Sequence, residues 1–178
     1  MKLEFRTLTK DEIECRVSTV KQSGLSLLLY KDARADMNIL DEEVGPANWQ
    51  RHHSRDNKNC VVSIWDEDKS QWIEKEDTGT ESFSASEKGV ASDSFKRACF
   101  NWGIGRELYT APFIWIPADK CNIQQRSNDT FTCYDRFKVE QIIYEGKKIV
   151  ALSIRNTTKR MRVFAEDYRQ KPQPAKAC

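Results

Sequence analysis

The chain has 178 residues, about the length of one domain, and its 39% hydrophobic and 31% charged residues are typical of a folded globular protein rather than a disordered one. No apolar run reaches the ~18 residues that a membrane-spanning helix needs, and the N-terminal residues lack the apolar stretch of a secretory signal, so we expect a cytoplasmic protein. The formal net charge of +2 excludes a broadly basic surface, and a nucleic-acid site would have to be local.

The first part of the chain predicts a helix, a strand and a short helix. Residues 9–20 are expected to be helical, because Thr9 can cap the N-terminus and acidic residues follow it. Residues 25–30 form an apolar run that does not alternate, which predicts a strand buried on both faces. The short helix ends at Gly45-Pro46, and its apolar side is formed by Met37, Leu40 and Val44.

The middle of the chain predicts a β-meander followed by a long helix. Three strands separated by polar turns are expected at residues 48–53, 59–65 and 70–75. The helix is expected over residues 86–102, with Ser86 as its cap and Gly103 at its end. Its buried face is indicated by apolar residues at positions i, i+3, i+4 and i+7, namely Phe95, Ala98, Cys99 and Trp102.

A second β region is expected near the C-terminus, with strands at residues 137–144, 148–155 and 160–164. Strands therefore occur in runs rather than in alternation with helices, which predicts an α+β fold. Residues 169–178 contain two prolines and no periodic apolar pattern. We expect one domain over residues 1–168 and a flexible tail over residues 169–178.

The long helix carries cations beside its apolar face. Lys96 and Arg97 are adjacent, and neighbouring helical positions are ~100° apart, so both can flank the buried side. Lys88 lies two turns earlier, and Arg106 follows the helix. Cations spaced along a helix suit the phosphates of a nucleic-acid strand. A solvated helix face with an Asp93–Arg97 pair is the alternative, and the sequence leaves it open.

Three more cations lie near two aromatic residues in the sequence. Lys31 and Arg34 stand where the strand at residues 25–30 meets the short helix, and Arg51 opens the next strand. Tyr30 and Trp49 can stack bases, as aromatic residues of single-strand binders do, at ~1–3 kcal/mol per base. Burial of both rings in the core is the alternative.

No pattern of catalytic or cofactor-binding residues emerges. The six cysteines are scattered and the two histidines are adjacent, which argues against a zinc site and favours free thiols. No phosphate-binding loop is present, because Gly103-x-Gly105 follows a helix instead of preceding one. The carboxylates show no arrangement typical of a Mg²⁺-dependent nuclease. We therefore expect no enzyme activity, no metal and no cofactor.

Two segments together resemble a known family. They are DARADMNILDEEVGPANWQ and, after two strands, EKGVASDSFKRACFNWGIGRELY. In this order they resemble the Rad fifty-two superfamily of single-strand annealing proteins, and they are most similar to the short bacterial and phage members of the Sak and DdrA groups. The resemblance covers residues 9–109.

The resemblance implies a β-β-β-α core in which an antiparallel meander packs on a long helix, with a further C-terminal β region. It also implies rings or filaments of many subunits and a basic groove that holds single-stranded DNA with its bases exposed. Lys96 and Arg97 match the family's DNA-facing Lys-Arg pair, and Arg34 matches an arginine that binds DNA before the short helix.

The expected function is therefore ATP-independent annealing of complementary strands in recombination or repair, by a homo-oligomer in a bacterial or phage-infected cell. A passive single-strand DNA coat protein and a Mg²⁺-dependent nuclease are the alternatives. The resemblance leaves open whether a recombinase, an exonuclease or a single-strand-binding protein is a partner.

Overall fold

The structure, a computed structural model, describes residues 3–79, 87–126 and 129–169, apart from the side chains of Glu87 and Lys88. These residues form two compact units. The first unit takes in the described parts of Met1–Leu8 and Lys31–Arg106, and the second takes in those of Thr9–Tyr30 and Glu107–Cys178. The second unit is therefore built from two stretches that are separated in sequence by most of the first.

Helix α1 of the first unit spans Ala33–Val44, which confirms the predicted short helix. The Asp32 carboxylate caps it by accepting a 2.8 Å hydrogen bond from the backbone N–H of Arg34. Gly45 ends the helix with a φ of 84°, a backbone angle that glycine adopts without steric cost. Met37 and Val44 are only half-buried. The buried side consists of Ala35, Asp36, Ile39 and Leu40.

The three predicted meander strands are confirmed in the first unit. They are β3 (Trp49–Ser54), β4 (Asn59–Asp66) and β5 (Gln71–Thr78), which pair antiparallel in this order. Arg51 lies opposite Val62, and Val62 lies opposite Lys75. Because directly opposite residues project from the same face, these three side chains form a row across the sheet.

Helix α2 spans Glu87–Trp102 and packs against β4 and β5. Phe95, Ala98 and Cys99 are fully buried. Trp102 is half-buried, and its indole N–H donates a 3.0 Å hydrogen bond to the carbonyl of Val62. The predicted buried face of the helix is confirmed, whereas its predicted cap, Ser86, lies outside the described residues.

The second unit contains a six-stranded sheet, except for Lys31 at the end of one strand, and a small hairpin. The sheet strands are β1 (Ile13–Lys21), β2 (Gly24–Lys31), β6 (Ile114–Pro117), β9 (Phe137–Glu145), β10 (Lys148–Asn156) and β11 (Met161–Asp167); the hairpin strands are β7 (Ile123–Gln125) and β8 (Phe131–Cys133). The order in the sheet is β11-β10-β9-β1-β2-β6. Its edge strands β6 and β11 lie next to each other, so the sheet curls almost into a closed form. The predicted C-terminal strands are confirmed as β9, β10 and β11.

The predicted helix over residues 9–20 is wrong. Only Lys10–Glu12 form a single 3-10 turn, and β1 follows directly. Acidic residues after Thr9 suggested a helix start, but Ile13, Cys15 and Val17 alternate with exposed residues at the period of a strand. Pairing with β9 in the folded protein then stabilises this segment as a strand.

The predicted strand at residues 25–30 is confirmed as β2, but burial on both faces is only partly correct. Leu25 and Leu27 are buried, whereas Leu28 and Tyr30 are 47% and 37% exposed. One face of β2 therefore packs in the core, and the other presents apolar side chains to solvent.

The predicted α+β class is confirmed, with two α-helices among the described residues and strands that occur in antiparallel runs. Within the same part of the chain, no helix is long and apolar enough to span a membrane.

Candidate nucleic-acid interface

Lys96 and Arg97 lie on opposite flanks of the buried face of α2. Arg97 points towards β5, where its Nε lies 3.3 Å from Oδ1 of Asp77, and its side chain is 41% exposed. Lys96 is half-buried on the side of α1, where its charge acts to lower the pKa of Asp32 and opposes the burial that raises the pKa of Asp36. No ion pair of Lys96 is found among the described residues.

Arg34, like Lys96, acts electrostatically on the Asp32 carboxylate. Its side chain is 80% exposed, and Nη2 lies 2.8 Å from Oδ2 of Asp32. Hydrogen bonds from Arg34 hold the pKa of Asp32 below its usual range, and the charges of Arg34 and Lys96 act in the same direction. We call Arg34, Lys96 and Arg97 the cationic patch.

Arg51 is exposed on β3, and its guanidinium carbon lies 4.6 Å from the centre of the Phe95 ring. The Trp49 ring stacks on the same phenyl group, with 6.1 Å between ring centres, and its indole N–H donates to Asp41 at 2.6 Å. Trp49 therefore packs against the core of the first unit, as the alternative for this residue predicts. Tyr30 belongs to the second unit, where the Arg16 guanidinium lies 4.8 Å from its ring centre.

Arg106 is exposed and caps the C-terminus of α2. Its Nη2 donates to the carbonyls of Phe100 and Asn101 at 2.7 and 3.1 Å. A cation at this position also compensates the negative end of the helix dipole. Arg106 thus has a structural role, and a phosphate would have to compete with two backbone carbonyls for it.

Besides Arg51 and Arg106, the last two predicted contacts, Lys31 and Lys88, are also not part of the cationic patch. Lys31 is 2% exposed and is paired with the buried Asp36, so it cannot reach a strand at the surface. The side chain of Lys88 lies outside the described residues, although its backbone belongs to α2.

The carboxylates that a nuclease would use are dispersed. Asp41 accepts from Trp49, Glu42 pairs with Arg6, and Asp66 accepts hydrogen bonds from the backbone of its own turn. Within residues 3–79, 87–126 and 129–169, no group of three or more histidine, cysteine or acidic side chains is placed to hold a metal ion.

Two residues of the interface were missed at the sequence level. Asp32 restrains Arg34, and its place as the residue before an N-terminal helical turn is a recognisable capping signal. Asp77 restrains Arg97 from another strand, and nothing local in the sequence indicates that contact.

No family model, no curated protein and no solved structure matches this chain.

Proposed function

We propose that this protein binds single-stranded DNA and anneals complementary strands in recombination and repair, as a homo-oligomer that needs neither ATP nor a metal ion. The main support is the cationic patch. Arg34 and Lys96 come from two helices far apart in sequence, yet both of their charges act on Asp32, and Arg97 is the next residue of α2. The family resemblance assigns DNA contacts to the same three residues.

A patch of this kind suits phosphates more than bases. Guanidinium and ammonium groups bind phosphate oxygens without regard to sequence, and most of the affinity comes from charge. A strand held by its backbone keeps its base edges free to pair with a second strand. Base pairing then supplies the driving force, so annealing requires no nucleotide hydrolysis.

The carboxylates that pair with the cationic patch, Asp32 and Asp77, influence how readily the patch binds DNA. Asp32 and Asp77 hold Arg34 and Arg97 in place while no DNA is bound. A phosphate must displace or share these partners, and exposed ion pairs are worth only ~0–1 kcal/mol. Binding should therefore be reversible and sensitive to salt, which suits a protein that must release the annealed duplex.

The order of elements in the first unit supports the finer fold assignment. Strands β3, β4 and β5 form a meander, and α2 follows and packs on two of them. We propose that this is the β-β-β-α core of an annealing protein. We also propose that the protein acts in the cytoplasm of a bacterial or phage-infected cell, where single-stranded DNA arises during recombination.

Exposed apolar side chains in the second unit support the proposed oligomer. Leu28 is 47% exposed and Phe113 is 77% exposed. Their neighbours Leu27 and Ile114 are paired across β2 and β6, so the two exposed side chains belong to adjacent segments, and contiguous apolar surface often marks protein contacts. Light scattering at micromolar concentration should show a mass several times the 20.7 kDa of one chain. A clean monomer, both with and without DNA, would contradict the oligomer.

Annealing should proceed in EDTA with no nucleotide present. Two complementary labelled oligonucleotides would be mixed with the protein, and the rate of pairing followed by fluorescence quenching. We expect clear acceleration over the protein-free rate at low salt and little at high salt. Binding without acceleration would identify a passive coat protein instead, and an absolute requirement for Mg²⁺ or ATP would reject the proposed mechanism.

A further inference from the structure

A buried ion pair joins α1 to the end of α2. Lys31 and Asp36 are 2% and 0% exposed, and Nζ of Lys31 lies 2.5 Å from Oδ1 of Asp36. The same ammonium donates a 2.8 Å hydrogen bond to the carbonyl of Ile104 and lies 4.0 Å from the centre of the Phe100 ring. One side chain thus contacts the first turn of α1, the last turn of α2 and the turn that follows it.

The turn after α2 is shaped to admit this lysine. Gly105 has a φ of +73°, and a Cβ at this position would lie 2.7 Å from Cδ of Lys31. Any larger residue would therefore be strained and would push the lysine away from its three partners. The absence of a side chain at Gly105 therefore leaves the space that the Lys31 side chain occupies.

Stability alone does not account for the pair. Burying two charges usually costs as much as their attraction returns, and apolar side chains of similar volume often stabilise a protein more. Oδ2 of Asp36 has no N–H or O–H donor within the described chain, and the Cys99 thiol is only a weak donor to this carboxyl group. Burial raises the pKa of Asp36 to about 6, although the charges of Lys31 and Lys96 oppose that rise.

The pair lies close to two residues of the cationic patch, Arg34 and Lys96. Arg34 is two positions before Asp36 on the first turn of α1, so the two side chains project on nearly opposite sides, one into solvent and one into the core. Lys96 lies one turn before Phe100, whose ring contacts the Lys31 ammonium.

We propose that Lys31 and Asp36 are positioning residues, which hold the first turn of α1 against the end of α2 and thereby fix the position of Arg34 relative to Lys96. The inference rests on the proposed function, because it concerns how the DNA contacts are arranged. It assigns Lys31 a role in DNA binding that requires no contact with DNA.

The test is a thermodynamic cycle on binding of an oligo-dT strand. The paired variant carries Lys31→Met with Asp36→Leu, which removes both charges and leaves the core apolar. In the wild-type background, Arg34→Ala should weaken binding about 10-fold, as expected for one charge-assisted contact. In the paired variant, the same substitution should change the affinity less than about 2-fold, because Arg34 is no longer held in the position in which it contacts the DNA.

A merely structural role would give a different result. The paired variant should keep the unfolding midpoint of the wild type or exceed it while it loses affinity, whereas a structural role would move both together. An equal effect of Arg34→Ala in both backgrounds would overturn the inference. Asp36→Asn, which keeps the shape of the side chain, takes the place of the paired variant in the cycle if the latter does not fold.

A control variant tests whether the effect is specific to the buried pair, and a second measurement separates this inference from the proposed function. Glu42→Gln breaks the Arg6–Glu42 pair at the far end of α1, where Nε and Oε2 are 2.7 Å apart, and should leave affinity within about 2-fold. If the wild type binds no DNA, the proposed function fails. Amide hydrogen exchange then still decides the inference: the first turn of α1 should exchange faster in the paired variant with global stability unchanged, and unchanged exchange would overturn it.

The pH dependence of unfolding gives an independent signature of the pair. The titratable groups that act on Asp36 are Lys31, Lys96 and the Cys99 thiol. Because the folded-state pKa is raised to about 6, the contribution of Asp36 to stability is full below about pH 4 and is lost as the pH rises through about 6. The wild type should therefore lose stability over this range relative to the paired variant, and parallel pH profiles would argue against a buried titrating carboxylate.

Discussion

Replacing Lys96 and Arg97 together by alanine is expected to weaken binding of single-stranded DNA by at least about 100-fold at low salt. Each side chain is assigned one charge-assisted phosphate contact, worth ~1.5 kcal/mol or more. Both side chains are half-buried at the flanks of α2 and fill no part of its core, so the variant should stay folded. Fluorescence anisotropy with a labelled oligo-dT strand measures the affinity, and circular dichroism checks the fold.

The matched control removes one lysine and one arginine from the second unit. Lys138 and Arg155 are 71% and 44% exposed, and the Lys138→Ala with Arg155→Ala variant has the same net charge as the test variant. Its affinity should stay within about 3-fold of the wild type, because no contact is assigned to these residues. Equal losses in both variants would mean that net charge, not the cationic patch, governs binding.

Phe95→Ala is expected to cost ~3–5 kcal/mol of unfolding free energy, the usual range for removing a fully buried phenylalanine. Phe95 is 0% exposed, Trp49 stacks on its ring and Arg51 covers it. The loss should appear as a lower urea midpoint. As a control, Tyr134→Ala removes a ring that is 64% exposed and should change stability by no more than ~0.5 kcal/mol. A small effect of Phe95→Ala would show that α2 is turned differently on the meander.

Much of the first unit could be predicted from the sequence because its signals are local. Polar turns separate the meander strands, so the strand boundaries could be predicted. Phe95, Ala98 and Cys99 recur at helical spacing, so the buried face of α2 could be predicted as well. The beginning of the chain failed because capping signals near Thr9 competed with a strand pattern in which only alternate residues are apolar. Pairing with β9 depends on residues more than a hundred positions away, which no local rule can supply.

The candidate site was predicted in part, for the same reason. Adjacent cations on one helix are visible in a sequence, so Lys96 and Arg97 could be named. The burial of Lys31 could not be foreseen, since a lysine next to a helix start is usually exposed. Its partners Phe100 and Ile104 are brought to it only by the packing of α2 on α1. The carboxylate partner of Arg97, Asp77, likewise depends on the position of β5.

The most direct test of the account is the salt dependence of single-strand binding in the wild type and in the Lys96→Ala with Arg97→Ala variant. The logarithm of the binding constant falls linearly with the logarithm of salt concentration, with a slope of about 0.7 per phosphate contact on single strands. If both residues contact phosphates, the slope of the variant should be shallower by about 1.4. Parallel lines for the two proteins would show that these cations do not touch the DNA backbone, and would contradict the central claim that the cationic patch on α1 and α2 is the DNA-binding surface.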